Sequence, residues 1–181
     1  WSVPDRILVP VGDGNIISGI HKGFTDLMAL GWIERIPKLN GVQAEGSAAI
    51  ANAWKNGDMD IESVRADTVA DSISADSPSD GSRALRAAAD TNGGISTVGD
   101  GEIMAAMVRL ASKSGVFAEP ASAAVYAGWL GLSMGRGIER GEHVVLLMTG
   151  HGLKDTEAAL GSRDDLGEIE PSIEALRAAL E

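Results

Sequence analysis

The stretch RILVPVGDGN, residues 6–15, decides the fold because it joins a strand, a glycine turn and the start of a helix. Its apolar run at residues 6–11 predicts a buried strand. Apolar residues then recur at helical spacing from Ile16 to Met28. Four residues form the turn between them: Gly12, Asp13, Gly14 and Asn15. The local pattern indicates a strand–turn–helix unit at the start of the chain.

This turn is a candidate phosphate cradle. The first amides of a helix have no partner and the helix dipole is positive there, so a helix start favours anions. Glycines let the backbone approach an anion closely. The turn is not a P-loop, because no Gly-Lys-Ser/Thr follows it. Asp13 fits such a cradle only if its carboxylate points outward, and an ordinary strand–helix turn explains the stretch equally well.

Strand and helix patterns alternate along the rest of the chain. Short apolar strands are predicted at residues 41–44, 94–98 and 143–148, with helices between them. Strands that are apolar throughout are typical of a parallel sheet covered by helices. We therefore predict an α/β protein whose open, mainly parallel sheet has helices on both faces.

Three helix starts are predicted from their sequence. Ser47 is expected to cap a helix over residues 47–55, which Gly57 ends. Asp100 is expected to cap a helix over residues 102–114, and Pro120 suits the first turn of the helix that follows.

Composition excludes several classes of protein. The 181 residues include 15 basic and 26 acidic ones, a net charge of −11, which opposes binding to nucleic acid. With no cysteine, disulfides and thiolate catalysis are excluded, and the three histidines have no metal-ligand spacing, so we predict no metal site. No run of 18 apolar residues and no signal-peptide pattern is present, so we expect a cytoplasmic protein that binds no membrane.

Three further segments are candidates for a site. Thr149 follows the last predicted strand, where α/β sheets bind ligands, although a simple turn explains it better. Glu119 precedes Pro120 at a helix start, where the helix dipole favours a carboxylate without any function. A loop with polar side chains either lines a cleft or makes local turns. It consists of Ala70, Asp71 and Ser72.

Five segments, in this order, resemble threonine synthase, a pyridoxal-phosphate enzyme of the tryptophan-synthase-β fold group. They are VPVGDGNIISGIHKGF (9–24), GVQAEGSAAIANAW (41–54), TVADSISADSP (68–78), GVFAEPASAAVYAGW (115–129) and VVLLMTGHGLKD (144–155). The second and third segments are more similar to threonine synthase than to the serine/threonine dehydratases. The resemblance covers residues 1 to about 160 and implies the large domain of that fold, followed at residues 161–181 by a linker and a helix.

The resemblance implies pyridoxal phosphate as the cofactor and gives each candidate a role. The backbone amides of Gly12, Asp13, Gly14 and Asn15 would hold its phosphate. Thr149 would donate to the pyridine nitrogen and leave it unprotonated, which makes a gentler electron sink. Four residues would form the wall of the cofactor cleft: Glu119, Ala70, Asp71 and Ser72.

The same resemblance implies that the Schiff-base lysine is absent from this chain. In the family that lysine lies upstream, within Ser-x-Lys-Asp-Arg, and none of the five lysines here has that context. They are Lys22, Lys38, Lys55, Lys113 and Lys154. We therefore predict no catalytic residue in the chain, and we interpret it as the C-terminal half of a threonine-synthase-like protein. The other half was either cut away or is a separate chain.

The completed enzyme would convert O-phospho-L-homoserine and water to L-threonine and phosphate, as a homodimer, whereas the chain alone would be inactive. Two alternative activities use the same cofactor: that of a threonine/serine dehydratase and that of a cysteate-synthase-like enzyme. A non-catalytic α/β module that binds a phosphorylated metabolite is an alternative of another class. The chain is also interpretable as half a fold that is stable only with its partner, because missing neighbours expose strand edges.

Overall fold

The computed structural model describes residues 2–135, 137–161 and 169–180. Within them, parallel strands form one sheet in the order β3–β2–β1–β4. The strands are β1 (Arg6–Pro10), β2 (Lys38–Ala44), β3 (Gly94–Val98) and β4 (Val144–Leu146). In the register of the central pairs, Leu8 lies beside Asn40 of β2 and beside Leu146 of β4. The predicted parallel α/β sheet is confirmed.

Helices cover both faces of the sheet. The elements are α1 (Asn15–Ala29), α2 (Ala49–Asn56), α3 (Gly81–Asp90), α4 (Asp100–Ser114), α5 (Pro120–Met134), α6 (Thr156–Gly161) and α7 (Ile173–Leu180). Successive strand residues point to opposite faces. Ile7 and Val9 of β1 therefore pack with α1, α2 and α3, while Leu8 packs with α4 and α5. Two hydrophobic cores result, one on each side of the sheet.

The last predicted strand is shorter than expected. We predicted residues 143–148, but β4 covers only Val144–Leu146. It pairs with β1 alone among the described strands, and its residues are half-buried. One further bond, from the amide of Leu147 to the carbonyl of Leu8 (3.0 Å), ends the pairing. The chain then leaves the sheet towards the start of α5.

Two predicted helix caps are wrong because tertiary partners occupy their side chains. Ser47 lies in a 3₁₀ turn before α2, and its hydroxyl accepts the amide of Ala75 at 2.9 Å. Asp100 is the first residue of α4, and its carboxylate accepts the hydroxyl of Thr68 and the amide of Val69. The prediction that Gly57 ends α2 is confirmed, since it adopts a left-handed conformation (φ 75°).

A buried charge pair lies where the parallel strands begin, at their amino ends, which we call the amino edge of the sheet. Arg6, at the start of β1, is 6% exposed. Its Nε lies 2.8 Å from Oε1 of Glu142, and its two terminal nitrogens donate to Asn40 Oδ1 (2.8 Å) and the Gly137 carbonyl (3.0 Å). These bonds attach the segment that enters β4 to the two central strands.

The C-terminal end of the chain is described only in part. The predicted final helix is present as α7, whereas residues 162–168, part of the predicted linker, lie outside the described residues. Among the helices that the structure describes, none combines the length and the apolar character needed to cross a membrane.

Candidate functional site

The loops that follow β1 and β4 meet at the carboxyl edge of the sheet. These strands are neighbours in parallel, so their carboxyl ends lie side by side. The two loops and the segment before α3 enclose a hollow of about 160 Å³. Its lining residues are Pro10, Gly12, Asp13, Gly14, Asn15, Ile16, Ser72, Ile73, Ala121 and Thr149. The structure therefore brings the candidate cradle, Ser72 and Thr149 into one site, which we call the inner hollow.

The glycine turn presents an open helix start to the inner hollow. α1 begins at Asn15, and among the described residues no side chain caps it. Its first amides therefore lack a partner within the helix, and its positive dipole end lies at the hollow. Gly14 adopts φ 96°, a conformation that favours glycine. A Cβ at Gly14 would lie 2.8 Å from the carbonyl oxygen of Asp80, so this position also needs the space.

The carboxylate of Asp13 is held away from the amides of the cradle. Its Oδ1 accepts the amide of Ser79 at 3.0 Å, and its carbonyl accepts the amide of Asp80 at 2.9 Å. These two bonds fasten the turn to the segment before α3. An acidic residue is therefore compatible with an anion cradle here, because its carboxylate is oriented by the amide of Ser79.

Thr149 forms the opposite wall and rests on a buried serine of α5. Ser122 is fully buried. Its hydroxyl oxygen accepts the amides of Thr149 (3.0 Å) and Gly150 (2.8 Å). The same oxygen lies 3.1 Å from Oγ1 of Thr149. Three hydrogen bonds thus hold the Thr149 turn against the first turn of α5.

A second hollow of about 410 Å³ adjoins the first and shares Ser72 and Ala121 with it. It is lined by Asp71, Ser72, Glu119, Pro120, Ala121, Lys154 and Asp155, and we call it the outer hollow. The Glu119 side chain is 4% exposed and pairs with Lys154 at 2.9 Å. Three of the four predicted wall residues therefore lie together here. The fourth, Ala70, is fully buried in the hydrophobic core next to them.

Glycine is required where the Thr149 turn passes Glu119. A Cβ at Gly150 would overlap the carboxylate of Glu119. The backbone amide of Glu119 also donates to the carbonyl of Gly150 at 3.1 Å. The turn after β4 and the start of α5 are therefore packed as one unit.

Comparison with known proteins places the chain in a family. A profile of the pyridoxal-phosphate dependent enzymes matches residues 2–150, and the chain belongs to that family. The predicted resemblance and the predicted cofactor are thereby confirmed.

The similar curated proteins are threonine synthases. The chain is 39% identical over 181 residues to threonine synthase of Methanocaldococcus jannaschii, covering 99% of this chain and 45% of that protein. The values are the same for the enzyme of Methanosarcina acetivorans. For that of Halalkalibacterium halodurans the identity is 38%, with 89% of this chain and 43% of that protein covered. The chain thus spans a little under half the length of these relatives.

Solved structures of other enzymes have the same fold. The processed form of threonine deaminase isoform 2 from Solanum lycopersicum matches with a TM-score of 0.71 and 20% identity, over 90% of this chain and 44% of that one. A fungal L-serine ammonia-lyase from Rhizomucor miehei matches with a TM-score of 0.66 and 21% identity, over 88% of this chain and 50% of that one. At this identity the likeness establishes the fold alone.

The inner hollow fits the cofactor of this family. The uncapped start of α1 offers neutral donors to a phosphate, and the Thr149 hydroxyl on the facing wall offers a hydrogen bond to a ring nitrogen. Within the described residues, no group of three or more His, Cys, Asp or Glu side chains is placed to hold a metal ion.

Sequence reasoning missed two residues that shape the site. Ser122 was not a predicted site residue, although a single polar residue among the buried alanines of α5 is itself a signal. Ser79, whose amide donates to the carboxylate of Asp13, was not among the predicted site residues. Its partner is 66 positions away in the chain, and no local pattern indicates it.

Proposed function

We propose that this chain is the cofactor-anchoring part of a threonine-synthase-like lyase. The completed enzyme, a cytoplasmic homodimer, converts O-phospho-L-homoserine and water to L-threonine and phosphate. The observation that carries the proposal is the inner hollow, in which the glycine turn after β1 faces the Thr149 turn after β4. The 39% identity to threonine synthases over nearly the whole chain supports the choice of reaction.

In this proposal the chain's residues hold and orient the cofactor. The amides of residues 12–15 bind its phosphate, helped by the positive end of α1. The hydroxyl of Thr149 donates to the ring nitrogen. When bound, the cofactor supplies the electron sink for elimination and replacement at the substrate. Asp71, Ser72 and Glu119 line the outer hollow and would form the wall of the cofactor cleft.

The proposal assigns the proton-shuttling lysine to another polypeptide segment. Lys154 is the lysine of the outer hollow, and its ammonium is paired with the carboxylate of Glu119. An ammonium group that donates to a carboxylate has no free electron pair with which to attack a carbonyl carbon. We therefore expect residues 1–181 alone neither to bind the cofactor covalently nor to turn substrate over.

The test begins with the natural polypeptide that carries residues 1–181, isolated with any partner that co-purifies. Its intact mass and N-terminal sequence show where the lysine-bearing part lies. Incubated with O-phospho-L-homoserine, it should release phosphate and threonine in equal amounts. A keto acid and ammonia from threonine would instead identify a dehydratase. Binding of phosphate esters without any cofactor spectrum would identify a non-catalytic module.

A second measurement uses the 181-residue chain by itself. It is mixed with pyridoxal phosphate, reduced with borohydride and digested, and the peptides are weighed. We expect no single lysine to be labelled in preference to the others. Specific labelling of one lysine, together with turnover, would overturn the assignment of that lysine to another segment.

A further inference from the structure

Ser122 determines what the hydroxyl of Thr149 can do. A serine hydroxyl has one hydrogen to donate and two lone pairs to accept with. The amides of Thr149 and Gly150, at 3.0 and 2.8 Å, occupy both lone pairs of the Ser122 oxygen. In the remaining contact, 3.1 Å to Oγ1 of Thr149, Ser122 must therefore be the donor.

The direction of this bond leaves the hydrogen of Thr149 free. Since Oγ1 of Thr149 accepts from Ser122, its own hydrogen is not used in that contact. Thr149 lines the inner hollow, while Ser122 is fully buried behind it. The free hydrogen can therefore be donated into the hollow. If the two backbone amides did not occupy both lone pairs of the Ser122 oxygen, the Thr149 hydroxyl could donate to that oxygen instead.

We propose that Ser122 is a positioning residue that presents the Thr149 hydroxyl as a hydrogen-bond donor to the ring nitrogen of the cofactor. Ser122 itself touches neither the cofactor nor the substrate. This inference rests on the proposed function, because it takes the ring nitrogen as the group that Thr149 meets. It adds the reason why the ring nitrogen accepts a hydrogen bond and stays unprotonated: Ser122 leaves the hydrogen of Thr149 to be donated to it.

A purely structural role for Ser122 predicts results different from those that a positioning role predicts. In that case its loss would loosen the Thr149 turn and weaken the fold without a specific effect at the ring nitrogen. In the positioning role, the effects of removing Ser122 and of removing the Thr149 hydroxyl should overlap. Residues that act through each other give non-additive effects in a double-mutant cycle.

The experiment uses the complete natural protein loaded with pyridoxal phosphate labelled with ¹⁵N in the ring. The ring ¹⁵N chemical shift and the cofactor dissociation constant are measured for Thr149→Val, Ser122→Ala and the double variant. Thr91→Val is the matched control. The Thr91 hydroxyl is also buried, accepts the amide of Leu39 (3.0 Å) and donates to the carbonyl of Ala87, but it lies at the other edge of the sheet.

We expect each single variant to move the ring ¹⁵N signal in the same direction and to raise the dissociation constant about tenfold, the effect of one hydrogen bond. The double variant should resemble either single variant and should not approach a 100-fold loss. Thr91→Val should leave the signal in place. Ser122→Cys, whose thiol donates more weakly, should give a shift between those of serine and alanine and serves if Ser122→Ala does not fold.

Two results would overturn the inference and are distinguishable from each other. If Thr149→Val moves the ring signal but the Ser122 variants do not, the positioning role fails and the proposed cofactor site stands. If Thr149→Val leaves the ring signal unchanged, the proposed contact to the ring nitrogen fails, and the role of Ser122 fails with it.

Discussion

Replacing Gly128 with alanine tests how α5 is seated on the sheet. This helix carries Ser122 and follows Glu119, so its position sets the rear wall of both hollows. A Cβ at Gly128 would lie 2.7 Å from Cγ2 and 3.0 Å from Cγ1 of Val42 in β2. These distances are shorter than van der Waals contact, so either Val42 or the helix must move.

The magnitude follows from two opposing effects. Alanine in a helix interior is favoured over glycine by about 1 kcal/mol. Overpacking a well-packed core costs about 1–3 kcal/mol. Gly131, one turn later in the same helix, is exposed, and a Cβ there would meet no atom within 4 Å. Gly131→Ala should therefore gain up to about 1 kcal/mol, while Gly128→Ala should be about 1–3 kcal/mol less stable than Gly131→Ala.

The assay is equilibrium unfolding of the chain in urea, followed by circular dichroism, with both variants and the parent chain measured side by side. The slope of the transition should be the same for all three if only stability changes. Equal stabilisation by both substitutions would refute the reasoning, because helix propensity alone predicts that result. It would mean that α5 does not rest on Val42 as described.

Two further variants probe the two edges of the sheet. Gly14→Ala should destabilise the chain by about 2–3 kcal/mol, because alanine is strained at this φ and its Cβ would contact Asp80, and it should also weaken the binding of pyridoxal phosphate. The control is Gly19→Ala in α1, where a Cβ would meet no atom within 4 Å, so neither stability nor binding should fall. Urea unfolding and cofactor titration measure the two effects. At the amino edge, burial raises the pKa of Glu142, but hydrogen bonds from Arg6 and the Glu139 amide outweigh it and hold that pKa below its usual 4.5. The stability that this carboxylate contributes is therefore complete above pH 4.5 and is lost as the pH falls through the lowered pKa. Glu142→Gln should remove this dependence on acid and cost about 3 kcal/mol of stability at neutral pH. An unchanged acid-unfolding profile in this variant would contradict the role of Glu142 in acid unfolding.

The parts of the fold that sequence could predict are those encoded by local patterns. The strand–turn–helix unit at residues 6–29 is read from an apolar run, two glycines and a helical repeat, all within one stretch. The parallel sheet follows from several strands that are apolar on both faces. The same reasoning ended β4 too late, because its apolar run continues beyond the point where pairing with β1 stops.

The misplaced caps and the missed residues have a common physical cause. A side chain such as Ser47 or Asp100 has a capping partner nearby in the chain, but a better partner arrives only when distant segments pack. Ser47 instead meets residue 75, and Asp100 meets residue 68. The candidate site could be proposed because glycines and Thr149 follow strands. The contacts that orient its side chains, such as Ser122 with Thr149, depend on packing.

The two edges of the sheet use opposite chemistry, and one depends on the other. At the amino edge, the buried pair of Arg6 and Glu142 fixes where the chain enters β4. From that point the pairing of β1 with β4 proceeds in parallel, so Leu8 and Leu146 lie at the same height. The glycine turn begins four residues after Leu8, and Thr149 follows three residues after Leu146, which makes the two loops emerge together. The inner hollow between them has no lysine or arginine among its described lining residues, so an anion there would be held by neutral amides and a helix end. Charge thus positions the strands at one edge, whereas the ligand that we propose for the other edge would be bound by uncharged donors.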